Sequence, residues 1–211
     1  GEGIAGVRVV GRGVDTTLYD PARRSPELRS AWCVAPEAPV CLYVGRLAPE
    51  KNLALVRRCF AAIRARHPAA RMVWVGDGPS ARQLASEHPD HHFAGMRLGE
   101  DLAAHYASAD LFLFPSLTET YGNVVPEAMA SGLPVVAYRS AAAAELIEHE
   151  RNGVVASPGD EGAYIAAALW TLAEGGRLPA LAAAARQDML PRNWGSIVAS
   201  FEAVALEAVV R

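Results

Sequence analysis

Along this chain, short runs of β-branched and aromatic residues alternate with longer alanine-rich stretches in which apolar residues recur every three or four positions. A run of four or five apolar residues bounded by glycine or proline reads as a strand buried on both faces, and a 3.6-residue period reads as an amphipathic helix. Strands are predicted on this basis at residues 40–44, 72–75, 92–94, 111–115, 134–138 and 154–156. Helices fall between them at 52–67, 80–87, 100–107, 124–131 and 141–148. In the first helix Leu55, Val56, Cys59, Phe60 and Ile63 share one face. Strands that alternate with helices of this length imply right-handed crossovers, a parallel sheet and helices on both of its faces. The expected class is therefore α/β, a Rossmann-like doubly wound layer.

The pattern changes at both ends. After Gly159 it becomes purely helical, at 160–173, 178–186 and 196–210. The last of these carries Ile197, Phe201, Val204, Ala205 and Ala208 on one face, which must pack against something. Ahead of residue 22, positions 7–10 read as one strand, followed by a Gly11-Arg12-Gly13-Val14-Asp15 turn and set apart by the proline-bounded stretch 21–39. The organisation this suggests is a strand and linker over 1–22, a main domain over 23–193 and a terminal helix over 194–211.

In an open parallel sheet, ligands bind beyond the carboxyl ends of the strands. The loops that matter are thus 45–52, 76–80, 95–99, 116–123 and 139–142. In the first, Arg46 and Lys51 can converge on a phosphate pair, arginine as a planar fork and lysine as a mobile point charge. Composition adds weight to that reading. Of 20 basic residues Lys51 is the single lysine, and it lies on the ligand edge. The second loop, Gly76-Asp77-Gly78-Pro79-Ser80-Ala81, formally satisfies a G-x-G-x-x-A dinucleotide turn. It lacks an acidic residue after the following strand to hold a ribose, and Pro79 removes one N–H from the anion cradle.

The third loop, from Pro115 to Gly132, carries the most information. It leaves the most apolar strand and opens into a helix with Asn123 as its expected N-cap and Pro126 in its first turn. Free N–H groups there suit an anion, and Gly122 permits close backbone approach. Glu119 lies on the loop and Glu127 in the early helix. Both would repel a bound anion unless they accept hydrogen bonds from hydroxyls beside it. The arrangement suits a ligand with sugars on both sides of a diphosphate, while Glu127 could equally serve only to complement the helix dipole.

The rest of the composition narrows the classes. A net charge of −3 argues against a nucleic-acid partner, which calls for a clearly basic face. Alanine fills 41 positions, so the 51% hydrophobic content overstates the bulky core. Cys33, Cys41 and Cys59 lack metal or redox spacing and read as buried thiols in a reducing compartment. No apolar stretch is long enough to span a membrane. The Gly-Glu-Gly start, with neither methionine nor leader, reads as the start of a fragment.

Two glutamates with seven residues between them, followed by Ala128-Met129-Ala130-x-Gly132-x-Pro134-Val135-Val136-Ala137, resemble the carboxyl-terminal domain of retaining glycosyltransferases of family 4, which have the two-domain GT-B fold. The likeness extends through Gly45-Arg46-Leu47 with Lys51-Asn52, Gly76-Asp77-Gly78-Pro79, Phe93-x-Gly95, Tyr106-Ala107-Ser108-Ala109-Asp110 and Asn152-Gly153, and Gly13-Val14-Asp15 looks like the crossover between the two domains. The resemblance implies that Arg46 and Lys51 hold the donor diphosphate and stabilise its charge during transfer. It implies that Glu119 binds the donor sugar and that the backbone of Thr120, Tyr121, Gly122 and Asn123 contacts sugar and phosphate. Glu127 would take the ribose, and Gly76, Asp77, Gly78, Gly95 and Met96 would frame the base.

The implied donor is a UDP-, GDP- or ADP-sugar used without metal or other cofactor, with the acceptor bound by an amino-terminal domain outside this chain. The implied location is the cytoplasm, with the intact enzyme able to lie peripherally on the inner face of a membrane. Where many members carry two glycines, this chain has Arg139-Ser140-Ala141-Ala142, whose side chains would narrow the sugar end. The alternatives are an NAD-type oxidoreductase domain built on the 76–81 turn, a nucleotide-sugar epimerase of the same fold, and a non-catalytic binding or scaffold module.

Overall fold

A computed structural model describes residues 10–173 and 176–209. Strands β1 (Val40–Val44), β2 (Arg71–Val75), β3 (His92–Gly95), β4 (Leu111–Phe114), β5 (Val135–Tyr138) and β6 (Val154–Ala156) form one sheet in the order β3-β2-β1-β4-β5-β6. Every pairing is parallel. All residues of β1, β4, β5 and β6 are buried, as their continuous apolar runs require. Helices α2 (Leu53–Arg66), α3 (Ala81–Glu87), α4 (Gly99–Ser108), α5 (Val124–Ala130) and α6 (Ala141–Leu146) make the crossovers, followed by α7 (Glu161–Thr171), α8 (Arg177–Met189) and α9 (Trp194–Val209). Helix α2 packs with α7, and α5 packs with α4 and α8. The six predicted strands and the helices between them are present to within a few residues at their ends.

The chain winds outward from β1 to β3, returns to β4 beside β1, and then winds the other way. The reversal places the loops after β1 and β4 side by side at the carboxyl edge. A crevice at such a switch point is where a doubly wound sheet binds ligands.

Cys41 and Cys59 are buried as expected, whereas Cys33 is exposed. Three further local features bear on the sequence expectations. The proline-bounded stretch 21–39 is no mere separator. It carries a 3-10 turn at Pro21–Arg23 and helix α1 (Pro26–Ala31), with Ser25 as N-cap accepting from the Leu28 N–H at 3.1 Å. Asp110 anchors this stretch by accepting from Arg24 at 2.8 Å, Arg29 at 2.9 Å and the Val40 N–H at 2.8 Å. Arg29 is buried and also donates to the carbonyls of Ser108, Pro36 and Ala38. Second, the apolar face of the last helix is only partly covered: Ile197 and Val204 are half-buried while Phe201 and Ala205 are exposed, Trp194, Val198 and Leu206 are exposed beside it, and the main packing of α9 among the described residues is against the turn Leu190–Arg192. Third, the predicted strand at 7–10 lies, save for Val10, outside the described residues, and Val10 itself is not in a strand. Val14 instead forms a bridge with Asn193.

Candidate active site

Leu42 to Val44 leave the sheet into a loop that has to turn sharply, and Gly45 accordingly sits at a φ of 150°. The turn after β2 packs directly onto it. A Cβ on Gly76 would lie 2.0 Å from the Gly45 carbonyl oxygen, and one on Gly78 would lie 2.5 Å from that of Leu47. The contact is locked by backbone hydrogen bonds, Leu47 N–H to Asp77 O and Ser80 N–H to Leu47 O, both at 2.9 Å. The Gly76 N–H donates to the Gly95 carbonyl at 2.9 Å, and the Gly78 N–H to the Asp77 side chain at 2.7 Å. The glycines of the 76–81 turn therefore serve loop-to-loop packing, and those two amides are spent within the protein. An open pyrophosphate cradle is not built there.

Beside this interlock lies a cavity of about 600 Å³ at the switch point, lined by Arg12, Tyr43, Arg46, Lys51, Glu119 and the backbone from Thr120 to Val124, among others. A volume of that size accommodates a small-molecule ligand. Three contacts tie its two walls together. Lys51 Nζ donates to Glu119 Oε1 at 2.6 Å, the Asn52 amide donates to the Pro115 carbonyl at 3.3 Å, and Thr118 Oγ1 reaches the Glu50 carbonyl at 3.5 Å. Ser116 Oγ donates to the same oxygen of Glu119 at 2.7 Å. Arg46 pairs with Glu50 at 3.2 Å on the exposed rim, and its carbonyl accepts from the Tyr43 hydroxyl at 3.1 Å. Burial, and then the charges of Glu119 and Glu50, push the Tyr43 hydroxyl pKa up, so it stays a neutral donor.

The backbone amides of Gly122, Asn123 and Val124 donate to no acceptor among the described residues and lie along this cavity. They are available to an oxygen-rich ligand. Asn123 does not cap α5 as expected: its backbone is already helical, with φ −54° and ψ −26°, and its side chain makes no capping bond. With an extended backbone absent, the side chain cannot turn back to the helix's free amides.

Of the predicted site residues, Arg46, Lys51, Glu119, Thr120, Tyr121, Gly122 and Asn123 meet at this cavity. Gly76, Asp77, Gly78, Gly95, Met96 and Glu127 do not line it. Gly76 and Gly95 are joined to one another, and Met96, which follows, is largely exposed. Glu127, on α5, accepts from the Tyr106 hydroxyl at 3.0 Å and interacts with the Tyr19 hydroxyl. Burial raises its pKa above the usual carboxyl value, and the two tyrosine hydroxyls oppose that rise.

Arg12 was not among the residues singled out. It enters the cavity wall from the segment ahead of β1, its guanidinium 5.4 Å from the centre of the Tyr121 ring. The available signal was a lone arginine between glycines, whose position beside the sheet's carboxyl edge depends on the Val14–Asn193 bridge and could not be read from spacing.

A family model described as glycosyl transferases group 1 matches residues 38–174. A GDP-mannose-dependent alpha-mannosyltransferase of Corynebacterium glutamicum is 34% identical over 186 residues, covering 88% of this chain and 44% of that protein. A sulfoquinovosyl transferase of Arabidopsis thaliana is 37% identical over 160 residues, covering 73% of this chain and 31% of its own length. Among solved structures, the Anabaena protein HepE in complex with UDP-glucose superposes with a TM-score of 0.77 at 25% identity, over 97% of this chain and 57% of that one. The chain thus spans about half the length, or less, of the curated relatives it matches. With the six-stranded parallel sheet, the cationic crevice at its switch point and this family match in agreement, the chain belongs to the group 1 glycosyltransferases and has the Rossmann-like layer of the GT-B fold.

Proposed function

We propose that this chain is the donor-binding half of a retaining glycosyltransferase that moves a hexosyl group from a nucleoside diphosphate to an acceptor hydroxyl. The observation that carries the reading is the meeting of Arg46, Lys51, Glu119 and the open amides of Gly122 to Val124 around one cavity. The diphosphate lies against those amides with Arg46 and Lys51 over its oxygens. The two cations stabilise the charge that builds on the leaving diphosphate as the glycosidic bond breaks, with no metal required. Glu119 accepts from donor-sugar hydroxyls once Lys51 turns to the phosphate. Glu127 takes the ribose, and the edge at Gly76, Gly78, Gly95 and Met96 frames the base. Arg12 adds a third positive group to the wall.

The acceptor is bound by a further domain in the whole enzyme, so this half binds nucleotide and does not turn over. The retention of configuration and a cytoplasmic location, with the intact enzyme able to lie peripherally on a membrane, are part of the same reading. It draws on named relatives that use GDP-mannose and on a structural neighbour holding UDP-glucose. Among the described residues no helix is long and apolar enough to cross a membrane.

The test is thermal shift and calorimetric titration with GDP, UDP and ADP, with NAD as the counter-ligand. Stabilisation by one nucleoside diphosphate and none by NAD is the expected result. No response to any of the three, or a response to NAD alone, overturns the proposal.

A further inference from the structure

Glu127 is held from behind by two tyrosines that arrive from different parts of the chain. Tyr106, from α4, is wholly buried and donates to Glu127 Oε2 at 3.0 Å. Tyr19 precedes the first 3-10 turn, is 9% exposed, and lies near enough to the same carboxylate for the two groups to interact electrostatically. The two rings meet edge to face with centroids 5.8 Å apart, so each fixes the other's orientation. The Tyr19 backbone is fixed as well. Arg186 donates to the carbonyls of Thr16 and Tyr19 at 3.0 and 2.7 Å and pairs with Asp20 at 2.5 Å.

We infer that Tyr19 and Tyr106 are positioning residues that hold the Glu127 carboxylate in the orientation that receives a ribose diol, an inference that rests on the assignment of Glu127 to the ribose. An ionised carboxylate offers about four acceptor sites. The buried Tyr106 hydroxyl occupies one of them and the Tyr19 hydroxyl lies close by, which leaves the remainder for a pair of neighbouring sugar hydroxyls. Without the phenols the carboxylate is partly buried with its inner side unsatisfied, and it regains rotamer freedom that binding must then remove. The tyrosines also make the site discriminate. A ligand lacking the diol leaves the prepared carboxylate unpaired, whereas one that has it loses little on ordering.

The test compares GDP with 2′,3′-dideoxy-GDP, and UDP with 2′,3′-dideoxy-UDP, by titration on the wild-type chain and on Tyr106→Phe, Tyr19→Phe and the double variant. Thermal unfolding of each protein runs alongside to confirm that it is folded. In the wild type the ribonucleotide is expected to bind tighter than its dideoxy counterpart. The double variant is expected to lose roughly tenfold in ribonucleotide affinity, with dideoxynucleotide affinity unchanged. A merely structural role would weaken both ligands together. That outcome, or an unchanged ribonucleotide affinity, overturns the inference while leaving the nucleotide assignment intact. A wild type that does not distinguish ribose from dideoxyribose, or binds neither pair, overturns the Glu127 assignment itself.

Discussion

Lys51 reaches across the crevice to Glu119, with Nζ 2.6 Å from Oε1, so the chain's single lysine is paired with a carboxylate within the cavity wall. The two side chains are only 18% and 15% exposed. Removing one partner strands the other's charge, which costs more than removing both. Lys51→Ala is expected to destabilise the fold by about 2 kcal/mol, and Lys51→Ala with Glu119→Gln is expected to recover part of that loss. Urea denaturation midpoints of the two variants check this. A double variant less stable than the single one contradicts the account.

Gly76 is where backbone contact leaves no room for a side chain. At a φ of 127° and with the Gly45 oxygen 2.0 Å from a prospective Cβ, Gly76→Ala must separate two interlocked loops. The expected cost is about 3 kcal/mol or more. Denaturant unfolding measures it, and a variant as stable as wild type would mean that the two loops are not locked.

Ala141 occupies the left-handed region at φ 45°, at the start of α6, where the next residue's N–H donates to the Tyr121 carbonyl at 2.8 Å. A Cβ costs about 1–2 kcal/mol in that conformation, and glycine gives back part of this through its larger unfolded-state entropy. Ala141→Gly is therefore expected to stabilise the protein by about 0.5 kcal/mol, read as a rise in denaturation midpoint. A fall would show that this position carries no strain.

His91 supplies a pH dependence. Burial, then the neighbouring His88, depress its pKa from 6.5 to about 4, and its Nδ1 accepts from the Trp74 indole at 3.2 Å. The unfolded chain takes up this proton more readily than the fold does. The stabilisation is thus fully present above pH 6.5 and is lost as pH falls toward 4. His91→Gln, a neutral residue with an acceptor for Trp74, is expected to flatten that part of the melting temperature profile. An unchanged slope between pH 6.5 and 4 excludes His91 as its source.

Much of this was legible because the sheet is parallel and covered on both faces. Continuous apolar runs such as Leu111–Phe114 admit few other readings, and glycine-bounded loops after them mark the carboxyl edge. Arg46, Lys51 and Glu119 could be picked out because charge is conspicuous there. The remainder depended on contacts between distant segments. Nothing near Tyr19 or Tyr106 in sequence announces that both face Glu127, and nothing near Arg12 announces Tyr121. Helix α1 is only six residues and opens with proline, so its period is too short to detect, and its place is set by Asp110. The predicted N-cap at Asn123 failed because the loop enters α5 with helical backbone already in place.

The Asp110 anchor has a bearing on the order of folding. Its partners Val40, Arg29 and Arg24 lie 70, 81 and 86 positions earlier in the chain. Closing loops of that length is entropically slow, and the carboxylate is not presented until β4 has joined β1. The α1 stretch is therefore expected to dock only after β4 has joined β1, and its amides to exchange with solvent ahead of those in β1 although both are held by one side chain.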